Sequence, residues 1–187
     1  DVVLRPVTFR EGLTIRQMAA IFAERGFGSA EDFIAAASNP ALIRELDPDA
    51  RDLEGYLFPD TYTLPRRTTA GDLVARMVAR FEKALTPEIR QQAAARGLSV
   101  RELVALAALV EKETAKEEER PLVAAVYANR LNIGMPMQAD PTVIYALERA
   151  GLYAGNLTRA NLQFDSPYNT YRYPGLPPGP IAAPGQA

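Results

Sequence analysis

Two glutamates in the segment EKET at 111–114 are the residues best suited to chemistry in this chain. The chain has no cysteine and no histidine, so thiol nucleophiles, Ser-His-Asp triads, HExxH zinc sites and disulfides are excluded for these residues. Glu111 follows an almost wholly apolar run at residues 103–110, which predicts a helix that is buried nearly all round. Poor solvation and the negative end of the helix dipole would both raise the pKa of a carboxyl there. A carboxyl that keeps its proton can act as an acid.

A second carboxylate that could work with Glu111 is harder to find. Glu113 lies about 200° further round the same helix, so the two side chains cannot easily share one substrate. Asp140 precedes a proline at the start of a helix predicted at residues 142–150, where the role of N-cap is the simpler interpretation. Hydrolysis of a glycosidic bond normally requires two carboxyl groups. The residues therefore favour a mechanism that uses a single acid.

Apolar spacing and capping residues predict the elements that must hold these side chains. Residues 2–9 are β-branched and interrupted by Pro6, which is typical of an edge strand. Residues 54–62 alternate aromatic and other side chains, which predicts a short extended stretch whose aromatics either fill the core or line a cleft. Helices are predicted at residues 15–25, after Ser29, at 69–84, from 86, at 99–111, at 122–131 and at 142–150.

The chain from residue 161 onward matches no regular element. It contains three tyrosines and many prolines, and a long loop of this kind is either a binding loop or a disordered tail. We expect an α+β fold, with a small strand-and-helix N-terminal subdomain at residues 1–66 that precedes and covers the cleft. The mostly helical catalytic part would occupy residues 67–187 and be truncated at its C-terminus.

Composition narrows the classes of function. With 187 residues, of which 48% are hydrophobic, the chain can bury a real core. A net charge of −2 counts against nucleic acid or anionic lipid as the main partner. We expect no metal and no cofactor. No apolar run approaches the roughly 18 residues of a membrane span, and neither end reads as a natural terminus, so we expect a fragment.

Five blocks of sequence together resemble one family. They are EGYLFPDTY at 54–62, LVEKET at 109–114, NRLNIGM at 129–135, QADPTVIY at 138–145 and the YNTY-to-proline segment at 168–180. In this order they closely resemble the MltG (YceG-like) endolytic murein transglycosylases. The resemblance runs from about residue 7 to residue 185, nearly the whole chain.

The resemblance implies an enzyme that cleaves the MurNAc–GlcNAc β-1,4 bond of peptidoglycan glycan strands and leaves 1,6-anhydroMurNAc ends. One glutamate would first protonate the bridging oxygen and then take the proton of the C6 hydroxyl. It also implies an N-terminal membrane helix, a LysM-like region, and a catalytic part facing the periplasm or cell exterior from the inner membrane. Peptidoglycan synthases would be its protein partners. The resemblance also implies that members continue past these residues into a histidine-containing segment.

Carried over by position, Glu111 is the expected catalytic residue, and Glu113 is the alternative because both acids lie in one matched block. Asn129 and Gln138 would bind acetamido groups or orient Glu111, or either would instead satisfy loop backbone. The residues expected to line the cleft or support it are Glu54, Tyr56, Asp60, Glu113, Asn129, Gln138, Asp140, Thr142, Tyr168, Asn169 and Tyr171.

A competing hypothesis is a noncatalytic glycan-binding or scaffold module of the cell-wall synthesis machinery. The surroundings of Glu111 distinguish the enzyme hypothesis from the noncatalytic-module hypothesis. An open cleft beside Tyr56 and Tyr168 favours the enzyme, whereas packing against a structural arginine or lysine such as Arg130 favours the module.

Overall fold

The computed structural model describes residues 4–185, which form a two-stranded sheet and seven α-helices. The α+β class expected from the sequence is confirmed. The elements in chain order are β1 (Leu4–Thr8), α1 (Ile15–Glu24), α2 (Ala30–Ala37), β2 (Thr61–Pro65), α3 (Ala70–Ala84), α4 (Pro87–Ala95), α5 (Val100–Glu113), α6 (Arg120–Asn132) and α7 (Asp140–Arg149). Along residues 4–185, no helix combines the length and the apolar character that crossing a membrane requires.

The N-terminal unit pairs the small sheet with two helices. Strands β1 and β2 are antiparallel, with Thr8 opposite Thr61. Helix α1 begins where the Thr14 hydroxyl accepts the backbone N–H of Gln17, and this capping satisfies donors that a free helix end would leave unpaired. Its apolar stripe packs on α2 and belongs to the same apolar cluster as the sheet, which fixes the position of α1.

Two apolar clusters form the core. The first joins the sheet, α1, α2 and α3, and includes Phe9, Phe33 and Met77. The second joins α5, α6 and α7 around Leu109 and Tyr127. Helix α3 therefore packs with the N-terminal unit, and the domain boundary after residue 66 stays a prediction.

The extended stretch expected at residues 54–62 is wrong. Residues 54–56 form a turn, and the strand begins only at Thr61. Gly55 has a φ of +87° and lies so close to Pro180 that a Cβ there would be 2.3 Å from the proline Cβ. Only glycine fits such a turn. The turn directs Tyr56, Leu57 and Phe58 in succession into the core, so their alternation in the sequence was not a strand pattern.

Helix α5 differs from its expected form in two ways. It continues to Glu113, and its fully buried side is the one that carries Val104, Ala108 and Leu109. Leu106 and its neighbours at 103 and 107 are only half-buried and line an apolar groove. The expectation of burial nearly all round is therefore wrong for one face, because no element in residues 4–185 covers it completely.

The tyrosine- and proline-rich loop packs against the helices as far as residue 185. Asn169 and Thr170 are buried, and so are Ile181 to Ala183. The Ala183 backbone exchanges hydrogen bonds with Gly12 and Leu13 of the N-terminal unit. For the described residues the structure agrees with an ordered loop and not with a disordered tail.

Candidate active site

Glu111 lies in an ion pair that joins the end of α5 to the start of α6 and to the turn before α1. Its Oε1 accepts a hydrogen bond from Arg120 Nη2 at 3.0 Å, and the same Nη2 is 3.2 Å from Glu11 Oε2. The Glu111 Oε2 accepts the backbone N–H of Gly185 at 3.2 Å. Burial is the main cause that raises the pKa of Glu111, and the charge of Glu11 adds to it against the opposing effects of the Gly185 N–H and Arg120.

Arg120 is itself buried, and its Nε has no hydrogen-bond partner in the described structure. A buried guanidinium needs a counter-charge, and Glu111 supplies one. Of the two environments considered for Glu111, this is packing against an arginine, although the arginine is Arg120 and not Arg130.

Glu113 projects from the other side of the end of α5 and is exposed to solvent. Its Oε2 accepts a hydrogen bond from the hydroxyl of Tyr127 at 3.1 Å. Tyr127 is buried in α6, so its ring is held by packing and its hydroxyl is directed at Glu113. Burial raises the pKa of Tyr127, and the nearby charge of Glu113 adds to that effect. The phenol therefore stays protonated and donates a hydrogen bond to Glu113.

Two further matched blocks meet beside Glu113. The Tyr171 hydroxyl donates a hydrogen bond to Asp140 Oδ1 at 2.5 Å. This bond, followed by burial and then the charges of Asp140 and Glu113, raises the pKa of Tyr171 to about 12, while Arg130 lowers it. Arg130 also acts on Tyr127. Helices α5, α6 and α7 and the YNTY loop thus converge on one patch.

Asp140 is not the N-cap of α7. The cap is Ala139, and Asp140 is the first helical residue, with no side-chain capping bond at this helix end. The earlier interpretation is wrong because the carboxylate faces Tyr171 and not the backbone of its own helix. Asp140 therefore belongs to the patch around Glu113.

The backbone next to Asp140 is held from two directions. The Met137 carbonyl accepts Arg130 Nη1 at 2.5 Å. The Gln138 N–H donates to the Thr170 carbonyl at 3.3 Å, and Thr142 and Thr170 share a hydrogen bond of 2.9 Å between their buried hydroxyls.

The other predicted residues lie elsewhere or have structural contacts. Asn169 is fully buried, where its amide donates to the carbonyls of Leu162 and Phe164 and its oxygen accepts Tyr171 N–H. It therefore shapes the loop that carries Tyr171. Asn129 is exposed on α6. Asp60 is half-exposed and is paired with Arg80 at 3.0 Å.

Glu54, Tyr56 and Tyr168 lie around a separate cavity of about 250 Å³. Glu54 is buried and accepts hydrogen bonds from Ile15 N–H at 2.9 Å and Tyr145 hydroxyl at 3.0 Å. Burial raises the pKa of Glu54 to about 7 against the lowering effect of these two bonds. Tyr56 is a core residue whose hydroxyl donates to Asp47 at 2.6 Å.

Two tyrosine rings and an arginine lie beside Glu54, and of these Tyr168 and Arg149 line the cavity. The Tyr145 and Tyr168 rings are 5.0 Å apart, and the Arg149 guanidinium lies 5.6 Å from the centre of each. The two oxygens of Glu54 each have a fixed partner, so this carboxyl joins α1 to α7 and is not directed at open space.

The structure therefore brings together Glu113, Gln138, Asp140 and Tyr171, with Thr142 behind them, and places Glu111 on the opposite side of α5. Sequence reasoning missed three residues of this patch: Tyr127, which read as a core position, and Arg130 and Thr170, which both lay inside matched blocks. In residues 4–185, no three His, Cys, Asp or Glu side chains are arranged to hold a metal ion.

Comparison with known proteins agrees with the resemblance seen in the sequence. A family model described as the YceG-like family matches residues 2–187. The chain belongs to the YceG-like family. A curated relative from Streptococcus pneumoniae serotype 2 (strain D39 / NCTC 7466), named endolytic murein transglycosylase, is 38% identical over 206 residues, which cover 98% of this chain and 37% of the relative.

A second relative of the same name, from Bacillus subtilis (strain 168), is 32% identical over 195 residues, covering 97% of this chain and 53% of the relative. The chain thus spans between about a third and about a half of the length of these relatives. The fold is also similar to the crystal structure of a yceG-like protein from Listeria monocytogenes. The TM-score is 0.84 with 30% sequence identity, over 98% of this chain and 64% of that one.

Proposed function

We propose that this chain is the catalytic part of a peptidoglycan lytic transglycosylase that cuts glycan strands internally. Its relatives are named endolytic murein transglycosylases. The bond that we propose it cleaves is the MurNAc–GlcNAc β-1,4 linkage, and the cleavage would leave 1,6-anhydroMurNAc ends. The observation that carries this proposal is the convergence of α5, α6, α7 and the YNTY loop on Glu113. Separate segments of sequence supply a carboxyl, two phenols and a second carboxylate to one exposed patch.

Glu113 is our proposed acid in preference to Glu111, whose assignment stays a prediction. Both oxygens of Glu111 are engaged, one by a buried arginine and one by a backbone N–H. Protonation of Glu111 would leave Arg120 with only the exposed Glu11 as counter-charge. Among residues 4–185, Glu113 has a single neutral partner on one oxygen, which leaves the other oxygen open to a substrate.

The proposed reaction needs no second carboxylate. Glu113 gives its proton to the bridging oxygen as the C1–O bond breaks. The C6 hydroxyl of the same MurNAc residue then attacks C1, and the Glu113 carboxylate takes the hydroxyl proton, which closes the anhydro ring and restores the acid. The hydrogen bond from Tyr127 orients the carboxyl through both steps. Asp140 accepts the hydrogen bond of the Tyr171 hydroxyl and so positions the YNTY loop beside Glu113.

A noncatalytic glycan-binding module is the second candidate, and the ion pair of Glu111 favours it. If Glu111 is structural and the patch around Glu113 only binds sugar, the chain would retain glycan strands without shortening them. We also propose, from the family, that the whole protein is held at the cytoplasmic membrane with this part outside, where peptidoglycan synthases would be its partners.

Analysis of the products tests the proposed function. The full-length protein would be incubated with uncrosslinked glycan strands, and the ends would be identified by mass spectrometry. Internal cleavage with anhydroMurNAc ends is the expected result. Reducing ends would indicate a hydrolase, and intact strands that remain bound to the protein would indicate the noncatalytic module.

A further inference from the structure

Gln138 has an unusual backbone conformation. Its φ is +51°, and among residues 4–185 it is the one residue other than glycine with a positive φ. A side chain at such an angle is strained, and a glycine would adopt it without strain. Strained residues persist where the surrounding structure fixes them, and they concentrate at functional sites.

Two buried threonines fix this conformation, and we name Thr142 and Thr170 together the threonine clamp. The Thr170 hydroxyl accepts Ala139 N–H at 3.0 Å, and the Thr142 hydroxyl donates to the Ala139 carbonyl at 2.7 Å. The Thr170 carbonyl accepts Gln138 N–H at 3.3 Å. Both threonines are at most 1% exposed, so these bonds form away from competing water.

The clamp holds Gln138 between two contacts of the patch around Glu113. On one side, the Met137 carbonyl binds Arg130, and on the other, Asp140 accepts the Tyr171 hydroxyl. The Gln138 side chain itself is exposed and makes no hydrogen bond to any residue in 4–185. Gln138 is therefore a strained residue whose polar side chain contributes no hydrogen bond to the fold of residues 4–185.

We propose that the threonine clamp holds Gln138 in its left-handed conformation so that the side-chain amide binds the acetamido group of an N-acetyl sugar beside Glu113. A primary amide offers both a donor and an acceptor, and an acetamido group offers the same pair in return. The clamp residues position Gln138 and do not touch the sugar. This inference rests on the proposed function for the location of the sugar site, and its test also uses the proposed role of Glu113 in turnover.

The test is a thermodynamic cycle of binding in the full-length protein carrying Glu113→Gln, which removes turnover from the measurement. The probe is a soluble β-1,4-linked N-acetylglucosamine oligomer, titrated by calorimetry. Gln138→Ala should weaken binding about tenfold, the typical effect of losing one uncharged hydrogen-bonded pair. Thr170→Val should weaken it by a similar factor, and Thr170→Ser should restore it.

The double variant Gln138→Ala with Thr170→Val should bind nearly as well as either single variant, because the two residues act through the same contact. Thr69→Val is the matched control, since it removes a threonine hydroxyl from the cap of α3, far along the chain from the patch. All variants are compared below the temperature at which their melting curves begin to fall.

Full additivity of the two substitutions would overturn the proposal, as would a loss of affinity in Thr69→Val equal to that in Thr170→Val. Absence of any binding by the Glu113→Gln protein would overturn it as well. Failure of the proposed function is a separate result, because the clamp would still show non-additive binding in a protein that retains glycan without cleaving it.

Discussion

Glu111 and Glu113 are separated by one residue on α5, yet they face different parts of the molecule. Glu111 points toward the start of α6 and the turn before α1, where Arg120, Glu11 and the Gly185 backbone surround it. Glu113 points toward α6 and the YNTY loop, where one phenol contacts it and water reaches it. The first carboxylate joins elements, and the second stands where separate segments present polar side chains to solvent.

This difference teaches that a carboxyl in an apolar setting is not by itself a catalytic acid. Burial raises the pKa of Glu111, and that feature made it the expected catalytic residue. A buried carboxyl beside a buried guanidinium is also what a structural ion pair requires. Convergence of groups from several elements distinguishes a site better than burial does.

The largest expected effect comes from Glu113→Gln. This change removes the proton donor and base while keeping the shape of the side chain, so turnover on glycan strands should fall by about 10²–10⁴-fold. Because Glu113 is exposed, the free energy of unfolding of the protein should change by less than about 0.5 kcal/mol. Release of soluble anhydromuropeptides measures turnover, and urea denaturation measures stability.

Glu111→Gln is the matched change on the other side of the helix and should show the reverse pattern. Removing the carboxylate leaves buried Arg120 with Glu11 alone, which should lower the unfolding free energy by about 3 kcal/mol. Turnover by the folded protein should stay within a few-fold of the unsubstituted protein. If Glu111→Gln is stable but inactive while Glu113→Gln turns over glycan, the roles of the two residues are exchanged.

Much of the fold could be predicted from the sequence because helix starts depend on local chemistry. The caps at Thr14, Ser29, Thr69 and Ser99 all accept the backbone bonds that their sequence patterns indicate. The covered side of α5 could not be predicted, since a run that is apolar on every face does not say which face meets a neighbour. The turn at Gly55 was also hidden, because it depends on the approach of Pro180 from the distant loop.

The candidate site was only partly predictable for the same reason. Gln138, Asp140 and Tyr171 lie in two of the matched blocks, and the structure places them next to one another, while their role at a sugar site stays a prediction. The choice between the two glutamates depends on where α6 and the loop pack against the end of α5, and that is a long-range property. Tyr127 read as a core residue because its ring is one, and nothing in the spacing indicated that its hydroxyl reaches Glu113.

Glu54 extends the comparison to a buried carboxyl that has no ion pair with any residue in 4–185. Its pKa of about 7 in the folded chain lies above its ordinary value of 4.5. Below pH 4.5 Glu54 is protonated in both the folded and the unfolded chain, so its contribution to the free energy of unfolding is fully present there. It is lost as the pH rises through about 7, because the unfolded chain ionises first. The unfolding free energy should therefore fall by about 2–3 kcal/mol across this window.

The variant Glu54→Gln cannot ionise, so its stability should not show this fall. Its amide can still accept Ile15 N–H and can donate to the Tyr145 oxygen. Urea denaturation at about pH 4 and about pH 8 measures both proteins, since this interval brackets the ordinary pKa and the folded-state pKa of Glu54. An equal fall in both would assign the pH dependence to groups other than Glu54.

The smallest expected effect is that of Tyr127→Phe. The ring stays in the core, but the 3.1 Å hydrogen bond to Glu113 is lost, so the carboxyl is oriented less well and turnover should fall about tenfold. Tyr62→Phe is the control, because it also removes one phenolic hydrogen bond, to the Phe58 carbonyl at 2.7 Å, in the N-terminal unit. Turnover in Tyr62→Phe should be unchanged. If Tyr127→Phe also turns over glycan at the unsubstituted rate, then the phenol does not orient the acid, and the contrast between the two sides of α5 rests on the exposure of Glu113 alone.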